Sequence, residues 1–356
     1  MKNRRQFIKQ FASGVFAFGA ASSLMARTLD FVPFKGSELE FNNIEQTKDK
    51  ILPPALQKGS LIAIASPASP VSAWNISGTV NLLKNQGYSV EIGRIAKNQK
   101  NDNNYFAASD QERAEELMKF FERPDVSAIM CARGGYGVMR ILDKLDYDVI
   151  RKNPKIVVGF SDITALLNAI YAKSSLVTFH GPVAVSSWQD FTLNSFKKTL
   201  SLDELFSAKI DDMQVINDGV AEGFVQGGNL RIISSTLGTP YEIQTDDSVL
   251  FLEDVSEHAY EIDRMLTQLV LAGKMKNVKG IVFGKFKNLH ARKSFYPNRG
   301  KTIFEVINEI CKPLGVPLVY DFPFGHIVNK ITLPIGIKAR IDTRAKTFSL
   351  LEPAVC

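Results

Sequence analysis

Ile156-Val157-Val158-Gly159-Phe160-Ser161-Asp162-Ile163 joins a run of three β-branched residues to a helix-compatible stretch that continues to residue 172. The apolar run reads as a short buried strand, so Ser161 falls on a sharp strand-to-helix turn. Such a turn lifts a hydroxyl clear of the sheet edge. The first N–H groups of the new helix lack intrahelical partners and point at any anion that forms beside them. A serine before a helix also serves as a plain N-cap, so the turn alone leaves both readings open.

Outward from this turn, apolar strands alternate with amphipathic stretches. Leu61-Ile62-Ala63-Ile64-Ala65, Ser89-Val90-Glu91-Ile92, Ser127-Ala128-Ile129-Met130 and Leu176-Val177-Thr178-Phe179 read as strands, with helices over 80–85, 110–121 and 138–145. This alternation predicts an α/β fold whose N-terminal domain, residues 55–185, is a doubly wound parallel sheet. Ligands of such sheets bind outside the strand carboxyl ends, where Ser161 lies.

Residues 186–219 break the rhythm and are expected to be an inter-domain linker. From 220 to 352 the strands are shorter and turns more frequent, which predicts a C-terminal α/β domain with a mixed sheet or partial barrel. Its expected elements are a helical segment opening at Gly223-Phe224-Val225-Gln226-Gly227-Gly228-Asn229-Leu230 and running to 237, strands at 249–252 and 280–284, helices at 258–272 and 302–311, and paired strands within 330–351. No repeat at solenoid period occurs.

The 356 residues carry a net charge of +6, but Lys2, Arg4, Arg5 and Lys9 supply four of those charges with no acid before residue 27. The remainder is close to neutral, so a nucleic-acid surface is not indicated. Asn3-Arg4-Arg5-Gln6-Phe7-Ile8-Lys9, followed by a weakly apolar Gly/Ala/Ser-rich stretch to Ala26, resembles a twin-arginine export signal. Residues 1–26 are therefore expected to direct the protein to the periplasm, either removed near 21–26 or kept as an anchor. Residues 27–54 read as a leader, and no integral membrane span is expected in the mature form.

Cys131, Cys311 and Cys356 are an odd, scattered set, which predicts neither a disulfide framework nor a zinc site. Cys131 ends an apolar run and Cys311 a helical one, and both read as core.

Arg133-Gly134-Gly135-Tyr136-Gly137 follows the strand ending at Cys131. It lacks a full phosphate-binding signature. If it leaves the same sheet edge as Ser161, one glycine amide of the loop and the Asp162 amide form a two-donor oxyanion hole, each donor contributing about 3 to 4 kcal/mol. A serine nucleophile needs a base, and the chain has four histidines, His180, His258, His290 and His326. His258 sits behind Glu253 and Glu257 where capping is natural, and His290 lies in a basic, polar loop. His326, in Phe322-Pro323-Phe324-Gly325-His326, is the best placed. Glu253 ends a strand and is the first candidate to orient the imidazole; Asp254, Glu257 and Asp263 are otherwise explained as acids at a helix N-terminus.

The Arg133–Gly137 loop, Gly159-Phe160-Ser161-Asp162, His180-Gly181-Pro182, Gly227-Gly228-Asn229-Leu230, Leu252-Glu253-Asp254 and Phe324-Gly325-His326 together resemble the murein LD-carboxypeptidases, from about residue 59 to 336. The resemblance implies a catalytic triad of Ser161, Glu253 and His326, oxyanion donors at Gly135 and Asp162, a homodimer, no cofactor, and removal of the terminal D-Ala from murein tetrapeptides. A free C-terminus calls for a cation; Arg133 is the candidate, because its fork matches a carboxylate. Two other readings are a related serine peptidase that cleaves acyl-adenylate antibiotics, as the microcin immunity peptidases do, and a non-catalytic periplasmic peptide-binding protein.

Overall fold

The computed structural model describes residues 49–98, 105–286 and 300–356. The export-like segment 1–26, all but the end of the leader, and His290 lie outside the described residues.

In chain order the first strands are β1 (Leu61–Ala65), β2 (Ser89–Ile92), β3 (Val126–Cys131), β4 (Ile156–Gly159) and β5 (Thr178–His180). They are followed by β6 (Ser207–Lys209), β7 (Gln214–Asn217), β8 (Val220–Asn229), β9 (Ser248–Glu253), β10 (Gly280–Gly284) and β11 (Leu318–Phe322). The last are β12 (Leu333–Ile335), β13 (Lys338–Asp342) and β14 (Thr347–Leu350).

The first sheet runs β12-β5-β4-β3-β1-β2, with β1 to β5 parallel and β12 antiparallel at the edge. Alternate side chains of its strands enter different cores: Ile62, Met130 and Val158 face one, whereas Ala63, Ile129 and Val157 face the other. Both faces are therefore covered, which is why the strands are apolar throughout rather than alternating. The helices Asp110–Glu122 and Thr164–Ser174 cover the second face with Leu117, Phe121, Leu166 and Ile170. Each such fully buried side chain contributes about 1.5 to 3 kcal/mol.

The second sheet runs β6-β14-β13-β8-β9-β10-β11-β7. Its centre, β8 to β11, is parallel and its flanks are antiparallel, the expected mixed sheet. Leu250, Leu252, Ile281 and Phe283 pack on the helices Ala259–Leu271 and Ile303–Cys311. Val249, Phe251, Val282 and Phe322 face the other way and share a core with Ile62, Val158 and Phe179 of the first sheet. One continuous apolar layer thus fixes the two sheets against each other, and their strand carboxyl ends meet at the site below.

Three segments differ from the sequence reading. Residues 186–219, expected as a linker, hold the helix Asp190–Thr199 and supply both edge strands of the second sheet, β6 and β7. The expected helical segment from 223 is strand as far as Asn229, because Ala221, Gly223 and Val225 bury alternate positions; only Leu230–Thr236 is helical. Val138–Lys144 is a 3₁₀ rather than an α-helix, and it starts from Gly137, which adopts a φ of 112°. Among the described residues, no helix is long and apolar enough to cross a membrane.

Candidate active site

Ser161 has a φ of 66°, the left-handed region that a non-glycine residue adopts at a cost of about 1 to 3 kcal/mol. It is not a cap: the residue preceding the short 3₁₀ turn Ser161–Ile163 is Phe160, and no side chain caps that turn. The strain is instead what turns the chain abruptly from β4 into the helix Thr164–Ser174 and presents the hydroxyl at the sheet edge.

The loop after β3 closes over this turn. A Cβ at Gly134 would stand 2.8 Å from Ser161 Cβ, so only glycine lets the backbone pass there. The Asp162 carboxylate accepts from the Val138 amide at 2.9 Å, which ties the serine turn to the glycine loop. Burial raises the Asp162 carboxyl pKa, against the Val138 hydrogen bond and the Arg113 charge. Among the described residues neither the Gly135 nor the Asp162 amide donates a hydrogen bond. Ser69, from the loop after β1, braces the arrangement: its Oγ accepts from the Tyr136 amide at 3.1 Å and donates to the Tyr105 carbonyl at 3.0 Å.

The second sheet contributes an acid and a base. Glu253 is the last residue of β9, and His326 follows β11, so parallel neighbours two strands apart deliver both. Glu253 Oε2 lies 2.7 Å from His326 Nδ1 and 3.3 Å from the His326 amide. Gly325 permits this approach, since any Cβ there would collide with the Glu253 carboxylate. The Glu253 side chain is fully buried and that of His326 is 18% exposed. Burial alone would raise the Glu253 pKa, but the hydrogen bond and charge of His326, with help from His180 and Asn229, hold it below the ordinary value.

His326 makes no hydrogen bond to Ser161; the two are linked through Phe160, whose ring meets the imidazole edge-on at a centroid distance of 4.9 Å. With Nδ1 taken by Glu253, Nε2 is the remaining nitrogen. Phe160 also carries the Lys330 ammonium over its face at 4.6 Å.

Four polar neighbours complete the site: Asn229, His180 and Ser69, which had no assigned role in the sequence, and Asp254, which read only as an acid at a helix N-terminus. Asn229 Nδ2 reaches Asp254 Oδ1 at 3.0 Å and Glu253 Oε1 at 3.4 Å, bridging two adjacent buried acids, while its Oδ1 caps the next helix at Ile232. Asp254, buried beside Glu253, has its pKa raised to about 7 by desolvation and by that neighbouring charge. His180, buried between Phe160 and Phe324, has its pKa lowered to about 4, chiefly by burial, so it is neutral. Ser69 stood in Ser66-Pro67-Ala68-Ser69-Pro70, and its position after a parallel strand was the signal that it borders a site.

The other candidates separate. Arg133 is exposed; its Nη1 lies 3.4 Å from the Pro70 carbonyl, and it has no acidic partner among the described residues. His258 is the N-cap residue of Ala259–Leu271, its amide donating to Glu261 at 2.7 Å. Cys131 and Cys311 are buried, their thiol pKa values raised by desolvation. Trp188 donates to Thr79 Oγ1 at 2.9 Å and packs on Phe196. Among the described residues no group of three ligating side chains could hold a metal. A hydroxyl on a strained turn, two unused amides and a carboxylate-held imidazole are the parts of acyl transfer.

Known proteins share this arrangement of domains. Residues 62–181 match the LD-carboxypeptidase N-terminal domain, and residues 222–341 match the LD-carboxypeptidase C-terminal domain. A Bacillus subtilis protein named "Probable murein peptide carboxypeptidase" is 36% identical over 309 residues, 85% of this chain and 95% of that one. The Escherichia coli microcin C7 self-immunity protein MccF is 30% identical over 85% of this chain and 96% of its own. Its structure with aspartyl sulfamoyl adenosine superposes with a TM-score of 0.78 at 27% identity, covering 86% of this chain and 100% of that one. The muramoyltetrapeptide carboxypeptidase of Oxalobacter formigenes does so with a TM-score of 0.69 at 32% identity, covering 82% and 97%. Two consecutive domain matches, one on each sheet, account for most of the described chain, and the chain belongs to the LD-carboxypeptidase family.

Proposed function

We propose that this protein is a serine LD-carboxypeptidase that releases the terminal D-Ala from murein tetrapeptides. The observation that carries this reading is the 2.7 Å Glu253–His326 pair packed against Phe160, next to a serine held at positive φ. In the proposed reaction Ser161 Oγ attacks the carbonyl carbon of the third residue as its proton passes to His326 Nε2. The Gly135 and Asp162 amides stabilise the resulting oxyanion. His326 returns the proton to the departing D-Ala nitrogen, the C–N bond breaks, and water then hydrolyses the acyl-serine by the same acid–base route. Glu253 fixes the Nδ1–H tautomer and balances the imidazolium charge. Arg133, exposed and without an acidic partner among the described residues, is suited to the substrate carboxylate.

The twin-arginine-like segment supports a periplasmic site of action, and the family resemblance supports a homodimer. A second reading, cleavage of an acyl-adenylate, draws on the likeness to MccF. Incubation with a free murein tetrapeptide and, separately, with aminoacyl sulfamoyl adenosine decides between them. D-Ala release from the tetrapeptide is expected, and cleavage of the adenosine compound alone would refute the first reading.

A further inference from the structure

Beside the proposed oxyanion loop stands an exposed aromatic cluster that the reaction above does not use. Tyr136, the residue after Gly135, is 56% exposed and Tyr105 is 65% exposed. Their rings are 6.0 Å apart, and both lean on Phe106, at 5.6 Å and 4.7 Å. Beneath them the Arg113 and Arg140 guanidinium groups lie over the Phe106 ring at 5.2 Å and 4.9 Å. Arg113 is fully buried and donates to the Pro67 and Gly137 carbonyls, while Arg140 is half exposed and paired with Asp110 at 2.8 Å. The platform is therefore anchored from below and open above.

Two exposed tyrosines in contact present a flat aromatic surface on which a ligand can stack. Ser69 makes this patch part of the site: one hydroxyl holds the Tyr136 amide and the Tyr105 carbonyl, so the two rings are fixed relative to the glycine loop that passes Ser161. Whatever covers the rings is thereby positioned against the scissile bond. Apolar ring faces rimmed by phenol hydroxyls and a guanidinium suit a ligand with an apolar face and a polar edge. A pyranose has that character, with C–H groups on its faces and hydroxyls around its rim.

We infer that Tyr105 and Tyr136 form a glycan subsite that stacks on the sugar carried by a muropeptide. The inference rests on the murein reading above and names the part of the substrate that reading leaves unassigned. Binding energy gathered at this distance from the reacting centre helps to hold the peptide in register for attack.

The test compares kcat/KM for a free tetrapeptide and for the same tetrapeptide bearing its disaccharide, in the wild type, Tyr105→Ala/Tyr136→Ala, and Tyr136→Phe. The main-chain anchors on Ser69 survive all three. The wild type should prefer the glycosylated substrate by about tenfold, a preference the double variant loses while its rate on free peptide changes less than about twofold. Tyr136→Phe, which keeps the ring, should retain the preference. Equal rates on both substrates in the wild type, or an equal fall on both in the double variant, would overturn the subsite while leaving the peptidase reading intact. Failure of the wild type on both substrates would overturn the two together.

Discussion

Glu253 and His326, 73 residues apart in sequence, meet at 2.7 Å because β9 and β11 are parallel strands whose carboxyl ends open on the same edge. The pair is built on rigid sheet, and only its last step, the Gly325 bend, is loop. Replacing Glu253 by Gln keeps the size of the group but offers no charge to an imidazolium. Under the proposed mechanism kcat should fall by about three to four orders of magnitude with KM little changed. Steady-state kinetics on tetrapeptide check this, and a loss under about tenfold would remove Glu253 from the orienting role.

The strain at Ser161 separates function from stability. Ser161→Ala and Ser161→Gly should both lose activity by about four orders of magnitude or more. Glycine, however, adopts a φ of 66° without penalty, so Ser161→Gly should melt higher than Ser161→Ala, by about 1 kcal/mol. Thermal melts of the two inactive variants measure it; equal midpoints would show the turn to be unstrained.

Gly325→Ala tests the packing of the histidine loop. The added methyl would collide with the Glu253 carboxylate on a residue whose φ is 91°. A displacement on the order of 1 Å should lower kcat by about a hundredfold. A near-normal rate would mean that the loop is not held by this approach.

Asp254 gives a pH signature. Its folded pKa is about 7 and its unfolded value about 4, so the folded state holds the extra proton between them. Its contribution to stability is full below pH about 4 and is lost as the pH rises through about 7. The variant Asp254→Asn should therefore gain on the wild type across that window, whatever its absolute stability. Denaturant melts at several pH values check the slope, and a constant difference between the two proteins would contradict it.

Much of the fold was legible because the strands of a sheet covered on both faces are continuously apolar: β1, β4 and β10 stand where their runs of Leu, Ile, Val and Ala indicated. Short edge strands such as β6 and β7 carry exposed, polar residues and gave no such signal, so residues 186–219 read as linker. At the site, Ser161, Glu253 and His326 were each marked by a position at or just after the end of a strand. Asn229 also ends a strand, but its segment read as helix, and neither it nor Ser69, in the loop after β1, announces its hydrogen bonds until the partners are known. His180 and Asp254 take their shifted pKa values from burial beside Glu253, a tertiary effect that no local pattern encodes.

The central claim is that the hydroxyl at position 161 becomes covalently acylated. Treatment of the wild type and of Ser161→Ala with a serine-directed fluorophosphonate, followed by peptide mass mapping, tests it most directly. A single adduct on the peptide containing Ser161, absent from the variant and reduced in Glu253→Gln, is the predicted result. An adduct on another residue with Ser161 untouched, or D-Ala release by Ser161→Ala at the wild-type rate, would contradict the account.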